Sequence, residues 1–248
     1  MRYLVLSDIH SNLQALEAVL KEAGQRGYDR VLVLGDLVGY GAEPNAVIDL
    51  VRSLAPAAIV RGNHDKVCAG VEDAGGFNRV ARLAAEWTSR RLTAENAAYL
   101  ASLPEGPALV GETLEICHGA PRDEDAYIVN DLEALRALEE SERPVCIFGH
   151  THIPCAFRLA GGVFTLLLRG AHGDEKLPLE AGASYLINPG SVGQPRDGDA
   201  RAAYALLNLS GETACSWFRV HYAVEEAQVK VLEAGLPASL ADRLAVGR

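Results

Sequence analysis

Short apolar segments alternate with helix-type patterns over the first sixty residues, and this alternation limits the fold more than any other feature. Residues 3–6, 31–34 and 57–60 are apolar runs typical of buried strands. Between them, Ser11 or Asn12 can cap a first helix, and Pro44 opens a second. A β-α-β-α-β order predicts a parallel sheet with helices packed on it, which places the chain in the α/β class.

The rest of the chain changes character twice. Residues 66–103 are rich in Ala, Arg and Glu with helical apolar spacing, which predicts a helical insertion beside the expected site. Further strands are predicted at residues 114–117, 145–148, 163–168, 184–187, 202–209 and 214–220, with a helix at Asp131–Glu140 and a helical tail after Glu225. Since no repeat or linker is visible, a single domain over residues 1–248 is predicted.

Charge and composition argue against several classes of protein. The 23 basic and 33 acidic residues give a net charge of −10, which disfavours extended nucleic acid and anionic membranes as partners. No run approaches the ~20 apolar residues of a membrane helix, and the first residues do not resemble a signal peptide, so a cytoplasmic location is expected. The five cysteines include no C-x-x-C pair and are predicted to be reduced, on buried strands.

Side chains with metal-binding chemistry follow five of the predicted strands. They are Asp8 and His10, then Asp36, then Asn63 with His64 and Asp65, then His118, and finally His150 with His152. Five of the seven histidines lie in these motifs, and open α/β sheets build their sites beyond the carboxyl ends of strands. A lone D-x-H or H-x-H is often incidental, and Asn-His-Asp can be a turn, but the ordered set predicts one shared site.

The donor types of this set indicate two metal ions. The expected ligands are Asp8, His10, Asp36, Asn63, His118, His150 and His152. Seven mixed nitrogen and oxygen donors are more than one ion takes, and imidazole with carboxylate suits Zn, Mn or Fe. A shared carboxylate can bridge two ions ~3.5–4 Å apart, as in two-metal hydrolases.

In their order along the chain, these motifs resemble those of the calcineurin-like metallophosphoesterases. The segments are Asp8-Ile9-His10, Gly35-Asp36, Gly62-Asn63-His64-Asp65, His118-Gly119 and Gly149-His150-Thr151-His152. The resemblance covers about residues 3–190 and implies a four-layer α/β/β/α sandwich of two mixed sheets. It also implies two divalent ions, Mn, Fe, Zn or Ni with Mn favoured. One ion would be held by Asp8, His10, Asp36 and His152, and the other by Asp36, Asn63, His118 and His150.

The sequence departs from the family's protein phosphatases at one place. Those phosphatases have the pattern G-D-x-x-D-R-G. The corresponding segment here, residues 35–41, has Gly39 in place of the second Asp and Tyr40 in place of the Arg. The chain therefore resembles more closely the small prokaryotic branch of phosphodiesterases and phosphatases. Because the net charge of −10 disfavours extended nucleic acid while bound metal ions make the site locally positive, a small or locally presented phosphoester is the expected substrate. Arg122 or Arg196 can supply the missing phosphate contact, and a solvated or salt-bridged surface role is the alternative for each.

The expected reaction is hydrolysis of a phosphodiester or phosphomonoester by a metal-bridging hydroxide, with His64 protonating the leaving oxygen or stabilising the transition state. Asp65 either orients His64 or caps a turn, and Trp87 and Tyr99 either line a pocket or pack. The alternative functions are a serine/threonine-type protein phosphatase, a dinucleoside polyphosphate hydrolase, an amidohydrolase and a non-catalytic scaffold. The oligomeric state stays open.

Overall fold

The computed structural model describes all 248 residues and contains twelve strands and eight helices. The strands are β1 (Arg2–Leu6), β2 (Arg30–Val33), β3 (Ala58–Ile59), β4 (Ala108–Val110), β5 (Leu114–Ile116), β6 (Val145–Ile147), β7 (Cys155–Ala160), β8 (Val163–Arg169), β9 (Lys176–Pro178), β10 (Ser184–Asn188), β11 (Ala202–Asn208) and β12 (Ala214–Val220). The helices are α1 (Leu13–Arg26), α2 (Pro44–Ser53), α3 (Asn63–Cys68), α4 (Arg79–Arg91), α5 (Ala94–Ser102), α6 (Asp131–Glu140), α7 (Val224–Glu233) and α8 (Ala238–Leu244).

The strands form two mixed sheets of six strands each. The order in the first sheet is β3-β2-β1-β11-β12-β9, and in the second it is β4-β5-β6-β10-β7-β8. Strands β1, β2 and β3 are parallel to one another, as are β5, β6 and β10. The carboxyl ends of β1, β2 and β3 therefore lie at one edge of the first sheet, and those of β5 and β6 lie at one edge of the second.

Strand β1 shows why the inner strands are apolar along their whole length. Leu4 and Leu6 pack in one core with helices α1 and α2. Val5, between them, packs in the core between the two sheets with Ile147 and Trp217. Successive strand residues point to opposite faces, so a strand covered on both sides is apolar at every position. With α6 packed on the other face of the second sheet, the predicted four-layer sandwich is confirmed.

Helices α4 and α5 lie within residues 66–103, the interval with helical spacing, and pack against α2 and α3. The two aromatic side chains considered there contact neighbouring elements. Trp87 donates its Nε1–H to the carbonyl of Ala234 at 2.9 Å. The ring of Tyr99 lies under the guanidinium of Arg52, 5.0 Å from its carbon atom.

Three strands and one cysteine differ from the sequence prediction. The sequence does not predict β7, because Arg158 interrupts its apolar run. It does not predict β4 or β9 either, because each is only three residues long and has partly exposed side chains. All five cysteines are buried and free, but Cys68 lies in helix α3, so its placement on a strand was wrong. None of the eight helices combines the length and the apolar character needed to cross a bilayer.

Candidate metal centre

The loops that follow β1, β2, β3, β5 and β6 converge where the carboxyl edges of the two sheets meet. Asn63 and His64 begin helix α3 directly after the loop that follows β3. Apart from Asn63, which is partly exposed, the predicted site residues are buried: Asp8, His10, Asp36, His64, Asp65, His118, His150 and His152. The structure therefore brings residues from five loops into one water-poor site.

The backbone of these loops is strained at the same positions. Nine non-glycine residues have φ between 45° and 64°, and five of them are expected ligands: Asp8, His10, Asp36, His150 and His152. A non-glycine residue in this region costs of order 1–3 kcal/mol, and such residues concentrate at functional sites, where surrounding contacts hold them in place. The strained turns allow residues only two positions apart, such as Asp8 and His10, to offer donor atoms to the same cluster.

The first cluster of donors consists of Asp8, His10, Asp36 and His152, whose donor atoms lie within 4.8 Å of one another. His10 Nε2 lies 3.5 Å from Asp36 Oδ2, and His152 Nε2 lies 3.3 Å from Asp8 Oδ1. Although burial alone raises the pKa of Asp36, the imidazoles around it hold that pKa well below its usual range. The carboxylates are therefore ionised and available as ligands.

The second cluster consists of Asp36, His118 and His150. His118 Nε2 lies 3.5 Å from Asp36 Oδ2, the same oxygen that faces His10 in the first cluster. The amide oxygen of Asn63 lies 3.3 Å from His118 Nε2, which adds a fourth oxygen or nitrogen donor. The other oxygen of Asp36 accepts the backbone N–H of His64 at 2.9 Å. Asp36 Oδ2 is thus placed between the two clusters.

In each of the four histidines, one ring nitrogen contacts a backbone carbonyl. These contacts are His10 Nδ1 to Val38 at 3.0 Å, His118 Nδ1 to Leu34 at 2.7 Å, His152 Nδ1 to Gln194 at 2.6 Å and His150 Nε2 to Asp125 at 3.1 Å. Because a carbonyl oxygen only accepts, this nitrogen carries the proton and the other nitrogen presents its lone pair to the cluster. Metal-binding histidines are oriented in the same way.

These inward nitrogens face each other at short range. His10 Nε2 and His152 Nε2 are 3.2 Å apart, and His118 Nε2 and His150 Nδ1 are 3.0 Å apart. Two lone pairs at such distances repel each other unless a cation lies between them. When no metal is bound, a proton takes this place between the second pair: Asp36 outweighs burial and raises the pKa of His118 to about 10, while burial and the charge of His118 lower the pKa of His150 to about 3. A bound divalent cation would replace that proton, which leaves the lone pair of His118 Nε2 free to coordinate it. The donor set fits a divalent cation in each cluster.

His64 and Asp65 lie beside the clusters and belong to neither. The ring of His64 packs 4.6 Å from the Phe77 ring, and its Nδ1 is buried without a hydrogen-bond partner. Asp65 accepts backbone N–H groups from Leu37 and Gly62 at 2.8 and 3.0 Å. Asp65 therefore joins the loop after β2 to the loop after β3 through these hydrogen bonds, which is the turn-capping role. It makes no hydrogen bond to the His64 ring.

Comparison with known proteins places this geometry in a family. The model of the calcineurin-like phosphoesterase superfamily domain matches residues 1–212. The chain belongs to the calcineurin-like phosphoesterase superfamily. An uncharacterized protein of Methanocaldococcus jannaschii is 36% identical over 252 residues, which cover 98% of this chain and 97% of that protein.

Two solved structures are similar over the whole chain. The crystal structure of a metallophosphoesterase from Sphaerobacter thermophilus has a TM-score of 0.87 at 41% identity, with 100% of this chain and 99% of that chain covered. A hypothetical protein from Pyrococcus horikoshii has a TM-score of 0.77 at 19% identity, with coverage of 100% and 98%, and shows that the fold persists at low identity.

The loop after β2 explains how this superfamily member departs from the protein phosphatase pattern. Gly39 has φ +87°, and a Cβ on it would lie 2.3 Å from His64 Nδ1. An Asp at this position is therefore incompatible with the observed position of His64. Tyr40, at the Arg position of that pattern, packs its ring 4.4 Å from the His64 ring and 4.7 Å from the His10 ring.

A cleft of about 220 Å³ opens beside the second cluster. His64, Phe77, Tyr127 and His150 are among the residues that line it, and the Tyr127 ring lies 3.8 Å from that of His150. Sequence reasoning missed both Phe77 and Tyr127. No sequence pattern marks either residue as part of the site, because each is a single aromatic residue in a segment without helix or strand.

The two arginines considered from sequence differ in their placement. Arg122 is exposed. Arg196 is half-buried, and its guanidinium carbon lies 5.9 Å from the centre of the Tyr40 ring, beside the site. Arg243 of α8, which sequence reasoning missed, lies at the same distance from that ring.

Proposed function

We propose that the protein hydrolyses a phosphodiester or phosphomonoester at a centre of two divalent metal ions. The observation that supports this most is the pair of donor clusters that share Asp36, with every histidine held in its metal-binding tautomer by a carbonyl contact. When bound, two such ions polarise phosphate oxygens and make water a nucleophile at neutral pH. Membership of the calcineurin-like phosphoesterase superfamily supports the same reaction class.

Each donor cluster is proposed to hold one of the two ions. Asp8, His10, Asp36 and His152 hold one ion, and Asp36, Asn63, His118 and His150 hold the other. Mixed imidazole and carboxylate donors accept Mn, Fe, Zn or Ni, and we favour Mn. A cytoplasmic location belongs to the same proposal, since five free buried thiols are typical of a reducing compartment.

His64 is the residue proposed to act on the leaving oxygen. It lines the cleft, lies outside both donor clusters and is held against the Tyr40 and Phe77 rings. Burial lowers its pKa to about 4, so the free protein carries a neutral imidazole with one N–H to donate. A phosphoryl anion beside the ring raises this pKa, as any nearby negative charge does, and so favours protonation when substrate is bound.

The cleft volume of about 220 Å³ supports a small or locally presented phosphoester as substrate, in preference to extended nucleic acid. The serine/threonine protein phosphatase alternative is disfavoured because Gly39 and Tyr40 replace the Asp and Arg of that motif. An amidohydrolase is disfavoured by the two-sheet sandwich, which has no eight-fold strand-helix barrel.

Hydrolysis of bis-p-nitrophenyl phosphate and p-nitrophenyl phosphate, with Mn²⁺, Fe²⁺, Zn²⁺ or Ni²⁺ added separately, tests the proposal. His64→Ala is expected to keep both metals and to lose about 10²–10⁴-fold in turnover on an alkyl phosphodiester, whose leaving group needs a proton. His172→Ala, an exposed histidine away from the site, is the matched control. Absence of hydrolysis with every metal would refute the proposal, and full activity of His64→Ala would refute the role of His64.

A further inference from the structure

Two arginines distant in sequence meet at one side chain next to the proposed metal centre. The amide oxygen of Gln194 accepts a hydrogen bond from Arg196 Nη2 at 3.1 Å and another from Arg243 Nη1 at 3.3 Å. Arg243 is half-buried, and burial together with the charge of Arg196 lowers its pKa. Two guanidinium groups therefore share one neutral acceptor, although their charges repel each other.

No carboxylate neutralises this arginine pair. The two acidic residues that follow Arg196 pair with other arginines: Asp197 with Arg219, and Asp199 with Arg201 at 2.6 Å. The Nε of Arg196 is buried and has no hydrogen-bond partner. Guanidinium groups that lie half-buried side by side are normally paired with an anion, so the uncompensated charge indicates an anionic partner that binds here.

The arginine pair is joined to the metal centre through Gln194 and Tyr40. The backbone carbonyl of Gln194 accepts from His152 Nδ1 at 2.6 Å, while its side chain holds both arginines. The Tyr40 ring lies 5.9 Å from each guanidinium carbon and 4.7 Å from the His10 ring.

A further tyrosine links Arg196 to the second cluster. Burial raises the pKa of the Tyr127 hydroxyl, and the adjacent guanidinium of Arg196 opposes the rise, while the Tyr127 ring stacks 3.8 Å from that of His150. Arg196 thus lies between Tyr40, on the first cluster, and Tyr127, on the second. This places its guanidinium beside both clusters.

We propose that Arg196 and Arg243 bind the reacting phosphoryl group of the substrate on the side opposite the metals. Guanidinium groups match phosphate oxygens as paired donors, and two of them neutralise the charge of a phosphoryl dianion. Arg243 lies in α8, beyond residues 1–212 that match the superfamily domain, so the C-terminal helices complete the active site. The inference rests on the proposed function only in identifying the anion with the phosphoryl group of a substrate.

Binding of orthophosphate to the full-length, Mn²⁺-loaded protein, measured by isothermal titration calorimetry, tests this assignment without turnover. Arg196→Met and Arg243→Met are each expected to raise the Kd by about 10- to 100-fold, the effect of losing charge-assisted hydrogen bonds. Arg243→Lys keeps the charge and loses the paired donors, so its Kd lies between those of the unsubstituted protein and Arg243→Met. Arg82→Met removes an exposed arginine from α4 and is the matched control, with a Kd within about twofold.

Metal content and thermal unfolding, measured on every variant, identify any that have failed to fold or to bind metal. A Kd unchanged in both Arg196→Met and Arg243→Met would overturn the proposal. Weakened binding of pyrophosphate with unchanged binding of orthophosphate would also overturn it, because the pair would then hold a second phosphate group. If no phosphoester is hydrolysed but orthophosphate binding depends on both arginines, the proposed function fails and the anion site stands.

Discussion

Substitution of Gly39 by alanine adds one methyl group at the point where the β2 loop touches His64. The new Cβ would lie 2.3 Å from His64 Nδ1 and 2.9 Å from its Cγ. The His64 ring is enclosed by the rings of Tyr40, Phe77 and His10, with centroids 4.4, 4.6 and 5.0 Å away, so it cannot move aside without displacing them. We therefore expect Gly39→Ala to lower both stability and turnover.

The magnitude follows from two separate costs. A non-glycine residue at φ +87° costs about 1–3 kcal/mol, and overpacking a closed site costs about 1–3 kcal/mol. The free energy of unfolding should therefore fall by about 2–6 kcal/mol. For a chain of this length, that corresponds to a fall in Tm of roughly 4–24 °C. Because His64 is displaced, turnover should fall by at least about tenfold.

The assay is urea or thermal unfolding, followed by a phosphodiesterase assay at saturating metal. Gly24→Ala is the matched control because Gly24 lies in the exposed part of α1, has no atom within 4 Å of the added Cβ and lacks a positive φ. The same change there should stabilise the protein by about 0.5–1 kcal/mol, since alanine loses less entropy in a helix. Gly39→Ala with the Tm and kcat of the unsubstituted protein would refute this reasoning.

Two further predictions concern the carboxylate between the clusters and the thiols. Asp36→Ala should lose both metal ions, because its Oδ2 lies 3.5 Å from a histidine of each cluster, and retention of two ions by elemental analysis would contradict the shared ligand. The five buried cysteines should react with Ellman's reagent at pH 8 only after unfolding, since burial raises the pKa of Cys155 to about 12 and that of Cys68 well above its usual range. Fast reaction of several thiols in the folded protein would contradict this burial.

The sequence predicts the meeting of the donor residues because strand direction determines it. Asp8 and Asp36 follow the paired parallel strands β1 and β2 of the first sheet, and His118 and His150 follow the paired parallel strands β5 and β6 of the second. Parallel pairing brings such ends together whatever the loops between them contain. Two carboxylates and five histidines at positions just after predicted strands therefore predict both the fold and the site.

Contacts made by the loops and the C-terminal helices follow no such rule. Gln194 orients His152 through its carbonyl, and any residue in that loop has a carbonyl to offer. Arg243 reaches the site only because α8 packs with α7 and α4 around Tyr40, a tertiary arrangement without periodicity in the sequence. Strained turns are equally hidden, since His10 and Asp36 adopt positive φ although neither is glycine.

The net charge of −10 is compatible with an anionic substrate, because a small substrate responds to the charges near the site and not to the charge of the whole surface. An extended polyanion feels the whole acidic surface, whereas a small phosphoester in the cleft responds to groups within about one Debye length, ~8–10 Å. Asp8 and Asp36 contribute two negative charges there, and Glu72, Asp73 and Asp125 together with Lys66, which line the cleft, add a net two more. Two bound divalent ions would supply four positive charges, and Arg196 and Arg243 supply two more. The site we propose is therefore positive within an acidic protein, and this sign difference selects for a small phosphoester over a long nucleic acid.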